Sequence, residues 1–306
     1  MIGIAKDILN WLILARLPFH VSGILPFVLG SVIAQYITGM FNWGIFGLSV
    51  LAVEFILLTI HYSSEYFDYE VDSLSAEYGK SKFSGGSQIL QSGVIPKRRS
   101  LFASFICAIP AIFIGLLLQF RYNTGILTIP FGTLGLFLGL TYSAKPICWA
   151  YNGTGEIVIG FCYGWLTLVT AYYLQTGKTS AIIHLTAIPV ALSIFNVILI
   201  NEFPDYLADK EVGKNNLVVR FGQANMGKLY ALVSFGICLS YYIAIMKGFP
   251  ISAFFIFSPV TLIAIITACQ VLRGEYKDSK RLESICARTL IINLGVSVSL
   301  VLAILI

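Results

Sequence analysis

The chain has 306 residues, of which 57% are hydrophobic and only 11% charged, with a formal net charge of +5 and a mean hydropathy of +0.84. These proportions exclude a soluble globular protein, and the basic residues lack the aromatic interleaving of a nucleic-acid-binding surface, so no nucleic-acid partner is expected. Apolar runs close to the ~20 residues that cross a bilayer recur along the whole length, the pattern of a multi-pass membrane protein with the lipid bilayer as its solvent.

The segment Met1 to Leu17 carries Lys6, Asp7 and Arg16 around the apolar stretch Ile8 to Leu14, too short to span and therefore expected to lie as an amphipathic helix in the membrane interface. It lacks the layout of a cleaved signal. Nine spans are expected, at about 18–37, 43–62, 101–119, 124–142, 155–174, 182–202, 229–246, 251–272 and 286–306. Lipid offers no partner to backbone N–H and C=O groups, so each span is expected to be helical, kinked where Pro26, Pro110, Pro130, Pro189 and Pro259 interrupt it. In this layout all of the twenty Lys and Arg except Arg121, Lys178 and Lys247 fall on the side that holds the N-terminus. That bias places the N-terminus and the long loops in the cytoplasm and the C-terminus outside. Every Asp and Glu lies on the same side except Glu54, which falls inside the second span. The six cysteines have no C-x-x-C spacing and are assigned to packing, and His20, His61 and His184 lack metal-ligand spacing.

The second span ends in Glu65-Tyr66-Phe67-Asp68-Tyr69-Glu70-Val71-Asp72 and the sixth in Glu202-Phe203-Pro204-Asp205-Tyr206-Leu207-Ala208-Asp209, both of the form E-x-x-D-Y-x-x-D. Aspartates four apart stand one above the other on a helix. Four spans separate the copies, which suggests a duplicated four-helix unit, about 18–142 and about 155–272, with a ninth helix added inside a single domain, 1–306. The expected fold is all-α: nine transmembrane helices around a central cavity, with both motifs at its mouth.

Four carboxylates brought together repel one another strongly at low dielectric, so a divalent cation carrying an anionic ligand is the economical explanation. Cations for such an anion are at hand. The loop after the first motif holds Lys80, Lys82, Gly85 and Gly86, and glycine N–H groups can cradle phosphate oxygens. The loop after the second motif holds Lys210, Lys214 and Arg220. A short segment after span four, Tyr142-Ser143-Ala144-Lys145-Pro146, presents one lysine beside a tyrosine. Departure of diphosphate from an allylic carbon needs this equipment: Mg²⁺ on carboxylates, Lys and Arg to neutralise the leaving group, and an apolar cavity with aromatic faces to shelter the cation. On this reading Asp68, Asp72, Asp205 and Asp209 are the metal ligands. Lys145 and Tyr142 join them as catalytic groups, and Lys82, Lys214 and Arg220 bind substrate.

These residues resemble the UbiA superfamily of intramembrane prenyltransferases, and the likeness covers most of the chain. The superfamily's first motif, N-x-x-x-D-x-x-x-D, is matched by Ser64, Asp68 and Asp72, with serine in place of asparagine, and its second by Asn201, Asp205 and Asp209. The resemblance implies a nine-helix fold in which these residues bind Mg²⁺ and a polyprenyl diphosphate. Within the superfamily the chain is most similar to the 1,4-dihydroxy-2-naphthoate prenyltransferases of menaquinone synthesis. The segments that carry this likeness are Asn201 to Gly222, Tyr151 to Glu156 and Tyr172 to Gly177. That likeness implies an aromatic acceptor that loses its carboxylate as CO₂.

Two other readings compete. Prenyl transfer to another aromatic acid, a porphyrin or chlorin, or a glycerol phosphate keeps the chemistry and changes the acceptor. A transporter is suggested by Glu54, a charge within the bilayer with His61 two turns on along the same face, but the remaining acids all cluster on one side of the membrane. The sequence is silent on oligomeric state.

Overall fold

The computed structural model describes residues 2–79 and 81–306, so Lys80 of the first loop lies outside the described residues. The described chain is helical throughout, without strands. Helix α1 (Ile2–Leu14) exposes Ile8, Leu9, Leu12 and Ile13, the apolar face expected of an interfacial helix, while Leu14 and Ala15 are buried and Trp11 packs edge-on to Tyr62. Arg16, with φ 54°, turns the chain into α2 (Leu17–Thr38). The following elements are α3 (Trp43–Phe67), α4 (Tyr69–Gly79), α5 (Lys97–Arg121), α6 (Thr128–Leu140), α7 (Gly155–Thr176) and α8 (Ala181–Asn201). The chain ends with α9 (Tyr206–Glu211), α10 (Leu217–Phe221), α11 (Gln223–Met246), α12 (Ser252–Leu272) and α13 (Ser279–Leu305).

Among the described residues eight helices are long and apolar enough to cross a membrane: α2, α3, α5, α7, α8, α11, α12 and α13. The expected fourth span, 124–142, forms the shorter α6, because Thr124 and Thr128 bond each other in a turn before it and the chain reverses again from Thr141. The expected span ends otherwise agree to within a turn or two. Pro26, Pro110, Pro189 and Pro259 lie inside continuous helices and Pro130 in the first turn of α6. The irregularities that do appear are π-helical turns at Leu117–Arg121 and Gly160–Leu166, which periodicity does not reveal.

The long helices pack as neighbours around a cavity: α3 along α5, α2 along α7, α8 along α11, and α13 against α2, α8 and α12. Lipid tails supply no hydrophobic drive between helices, so close backbone approach matters. A Cβ at Gly30 would stand 2.2 Å from the Leu168 carbonyl oxygen, and one at Gly164 would stand 2.4 Å from Ala191 Cα, which fixes the α2–α7 and α7–α8 crossings. The largest buried cluster runs from Leu29 and Ile33 through Leu168, Ile194 and Tyr241 to Phe257 and Leu300, so α2, α7, α8, α11, α12 and α13 share one core.

Candidate active site

Each aspartate motif is built in the same way at the end of a long helix. Asp68 caps α3, and the Asp72 N–H donates to the Asp68 carbonyl at 2.9 Å across the break into α4. Asp205 precedes α9, and the Asp209 N–H donates to the Asp205 carbonyl at 2.8 Å. The i, i+4 stacking read from the sequence therefore survives, although in both copies a helix boundary falls within it. The helices that follow are tied together where Tyr78 Oη donates to Glu211 Oε2 at 2.5 Å.

Both motifs open onto one cavity of about 180 Å³, whose wall includes Ser64, Asp68, Asp72, Asn201, Asp205 and Lys214. The loop Ser84-Gly85-Gly86 passes between them. The Gly85 N–H donates to Asp205 Oδ2 at 3.1 Å, and Gly86, at φ 65°, lies so close to Asp72 that a Cβ there would stand 2.2 Å from Oδ2. Glu65 anchors the loop by accepting from the Ser87 N–H at 2.9 Å and the Ser87 hydroxyl at 2.7 Å. The segment after α6 joins from the other side: Ser143 Oγ donates to Asp68 Oδ2 at 2.6 Å, and the Tyr142 ring lines the cavity.

Asp209 is placed differently from its three counterparts. It is buried behind the cavity wall, accepts from Asn216 Nδ2 at 2.7 Å and holds Lys214 Nζ at 3.4 Å. Sequence spacing gives all four aspartates equal standing; the fold puts Asp68, Asp72 and Asp205 on the cavity and Asp209 one layer back, carrying a lysine forward. Lys82, Lys145 and Arg220 are exposed and stand outside the cavity wall. Arg220 packs over Gly153, and Lys145 projects from the turn before Pro146. Of the cations predicted to meet a diphosphate, Lys214 is the one the fold brings in.

The electrostatics are those of a site short of positive charge. Burial lifts the Asp72 carboxyl well above the usual carboxylate range, and Asp68 and Glu65 lift it further. Burial also raises Asp68, against the opposing pull of Lys214 and Ser143, and raises Asp209 to about 6. Burial alone would depress the Lys214 ammonium, but Asp209, Asp68 and Asp205 around it hold its pKa well above the ordinary lysine value. The buried Asp68 Oδ1 and Asn201 Oδ1 have no hydrogen-bond partner. Orphaned oxygens, a glycine cradle and an all-oxygen donor set fit a hard divalent cation. Among the described residues no three His, Cys, Asp or Glu are arranged to enclose a metal ion by themselves.

Sequence reasoning missed Ser143, Asn216 and a pair of buried acids, Glu156 and Glu202. Glu156 accepts from the Leu217 N–H at 2.6 Å, and burial followed by the charge of Glu156 raises Glu202 well above its usual value. Ser143 and Asp68 lie 75 residues apart, so no local pattern announces their contact.

Fold and site together define an all-helical integral membrane protein in which two acidic motifs converge on one cavity. The chain matches the UbiA prenyltransferase family over residues 24–287, and it belongs to that family. It is similar to UbiA prenyltransferase domain-containing protein 1 of Dictyostelium discoideum, 31% identical over 53% of this chain and 47% of that protein. It is also similar to 1,4-dihydroxy-2-naphthoate octaprenyltransferase of Bacillus subtilis, 25% identical over 69% of this chain and 65% of that protein. The matched part thus spans about half of the first relative and just under two thirds of the second. The structure of a UbiA homolog from Archaeoglobus fulgidus bound to GPP and Mg²⁺ shares the fold, with a TM-score of 0.69 at 16% identity, covering 97% of this chain and all of that one.

Proposed function

We propose that this protein transfers a polyprenyl group from an allylic diphosphate to an aromatic acceptor, with Mg²⁺ as cofactor and 1,4-dihydroxy-2-naphthoate as the acceptor. The observation that carries this reading is the meeting of Asp68, Asp72 and Asp205 around one cavity, with Lys214 between the motifs. Bound Mg²⁺ would supply the charge neutralisation that lets diphosphate depart. Asp68, Asp72 and Asp205 are the residues to hold it, and Asp209 acts on the site through Lys214. The Lys214 ammonium stabilises the leaving phosphate oxygens, while the Gly85–Gly86 backbone keeps the two carboxylate sets at a fixed separation. Tyr142, whose hydroxyl pKa burial holds well above the ordinary phenol value, stays neutral and offers its ring face to the allylic cation.

Below the carboxylates the cavity wall turns apolar. Ile60 and Tyr163 are shared with a second, largely apolar cavity of about 80 Å³ lined by Phe27, Leu57, Phe131 and Leu166, which suits an isoprenoid tail. In the membrane we place the N-terminus and the site on the cytoplasmic side. The four-helix units of about 18–142 and 155–272, with α13 added, are read as a duplication, supported by the matching helix-break geometry of the two motifs.

The test is incubation of purified protein with Mg²⁺, a labelled prenyl diphosphate and a panel of acceptors. A lipid-soluble product lighter by CO₂ than the simple adduct of 1,4-dihydroxy-2-naphthoate supports the full reading. Product with another acceptor moves the acceptor assignment, and no product with any acceptor overturns the function.

A further inference from the structure

One wall of the cavity carries chemistry that the diphosphate site does not use. His61, on α3 two turns before Asp68, faces the cavity, and its buried Nε2 has no hydrogen-bond partner. Its ring stacks on that of His20 from α2, with centroids 4.9 Å apart and planes 13° from parallel. Both nitrogens of His20 are engaged. Nε2 lies 2.8 Å from the Ala15 carbonyl oxygen and Nδ1 lies 2.8 Å from Glu54 Oε1. Glu54, the acid inside the second span, therefore has His20 as its partner, and His61 joins it through the stacked ring.

The Ala15 carbonyl can only accept, so His20 Nε2 carries a proton. A second proton is shared between Nδ1 and the Glu54 carboxylate, and wherever it sits the pair is neutral as a whole. A charge within a membrane span is costly when unpaired, and such pairs mark functional positions. Here the pair backs an imidazole that lines the substrate cavity and whose buried Nε2 is without a partner. When His61 gains a proton, movement of the shared proton from His20 to Glu54 removes the positive charge from the stacked ring, so the repulsion between two imidazoliums is avoided. The other charged or titratable groups that share the cavity wall near His61 include Arg16 and Tyr163, with Glu65 on its own helix and Asp68 at that helix's C-cap.

We propose that His61 is the group that accepts the hydroxyl proton of the aromatic acceptor, with His20 and Glu54 as the residues that position it. The inference rests on the prenyl-transfer reading above and deepens it. In the step, the acceptor O–H proton passes to the Nε2 lone pair and the O–H bonding electrons remain on the ring oxygen. That density feeds the ring carbon, which bonds to the allylic carbon as the C–O pair leaves with diphosphate. For a carboxylated acceptor, CO₂ departs and its bonding pair restores the aromatic ring, and His61 returns its proton to the ring oxygen.

The experiment compares parent, His61→Gln, His20→Asn and Glu54→Gln in detergent, with two acceptors: one whose hydroxyl is protonated at the assay pH and one bearing electron-withdrawing groups so that it is already ionised. Stabilisation of each variant by Mg²⁺ with prenyl diphosphate serves as the check on folding and on the donor site. His61→Gln is expected to lose about 10²–10⁴-fold in kcat/KM with the protonated acceptor, the range for general-base removal, to lose the limb of the pH profile set by that base, and to recover most of the loss with the ionised acceptor. His20→Asn and Glu54→Gln are expected to shift that limb and lose less. A His61→Gln enzyme that keeps the parental rate and pH profile, fails equally with both acceptors, or no longer responds to donor and Mg²⁺ overturns the inference while leaving prenyl transfer by the parent intact. A parent that transfers to neither acceptor overturns the function itself and the inference with it.

Discussion

The Gly85 backbone N–H donates to Asp205 Oδ2 at 3.1 Å, so the loop that follows the first aspartate motif is bonded to the carboxylate of the second. The contact spans 120 residues and makes one site out of two similar stretches of sequence. Gly86 beside it has no room for a side chain. A Gly86→Ala variant places a methyl on the Asp72 carboxylate and forces an L-residue to φ 65°, a strain of about 1–2 kcal/mol before any clash. Transfer activity is expected to fall at least tenfold. Gly93→Ala, at φ 73° with nothing within 4 Å, carries the same backbone strain without the clash and should stay near the parental rate in the same assay.

Two of the lysines that the sequence offers for diphosphate separate cleanly. Lys214 is held at the cavity by Asp209 and is expected to cost about 10²–10³-fold in activity when changed to Gln, the loss typical of removing one preorganised electrostatic partner. Lys145 is exposed at its turn, so Lys145→Ala should fall within about twofold of parent, as surface changes do. A measurement of kcat and KM at limiting prenyl diphosphate distinguishes them.

Protons and the divalent cation should compete. Asp209 titrates at about 6 in the folded protein, above the ~3.9 of an unfolded chain, and Asp72 is raised as well. A carboxyl raised in this way favours folding when protonated, so its contribution in the metal-free protein is complete below pH ~4 and lost as pH rises through about 6. A cation at Asp72 offsets the burial and the charges of Asp68 and Glu65 that raise this carboxyl. Added Mg²⁺ is therefore expected to raise the melting temperature more at pH 7.5 than at pH 5.5, measured by thermal unfolding in detergent. An equal rise at both values would contradict the arrangement.

Glu65 is buried and holds the glycine loop through Ser87. Glu65→Ala should free the loop while leaving Asp68, Asp72 and Asp205 in place, and should raise the KM for prenyl diphosphate severalfold. Ser87→Ala removes the hydroxyl bond and keeps the backbone one, so a smaller rise is expected in the same titration.

Much of this was legible in the sequence because lipid physics and local spacing write it there. The apolar runs gave eight long helices to within a turn or two, and the doubled E-x-x-D-Y-x-x-D gave the carboxylates and their stacking. What local spacing omits is which way a side chain faces after the chain has packed. Asp209 reads like Asp68, Asp72 and Asp205, yet it faces inward, where it accepts from Asn216 and pairs with Lys214, partners that the first motif's loop does not supply to Asp72. Lys145 reads like a phosphate partner and points to solvent. Glu54 was legible as an unusual charge, but its partner His20 comes from another helix, and no periodicity joins α2 to α3. The shortened α6 and the two π turns depend on tertiary packing in the same way.

The central claim is that the two motifs form a single metal-diphosphate site. The direct measurement is Mg²⁺-dependent prenyl transfer by Asp68→Asn and Asp205→Asn, one from each motif, with EDTA and Mg²⁺ re-addition as controls. One shared site predicts that either change alone removes transfer, that EDTA stops the parent and that Mg²⁺ restores it. Substantial transfer by either variant, or a parent indifferent to EDTA, would contradict it.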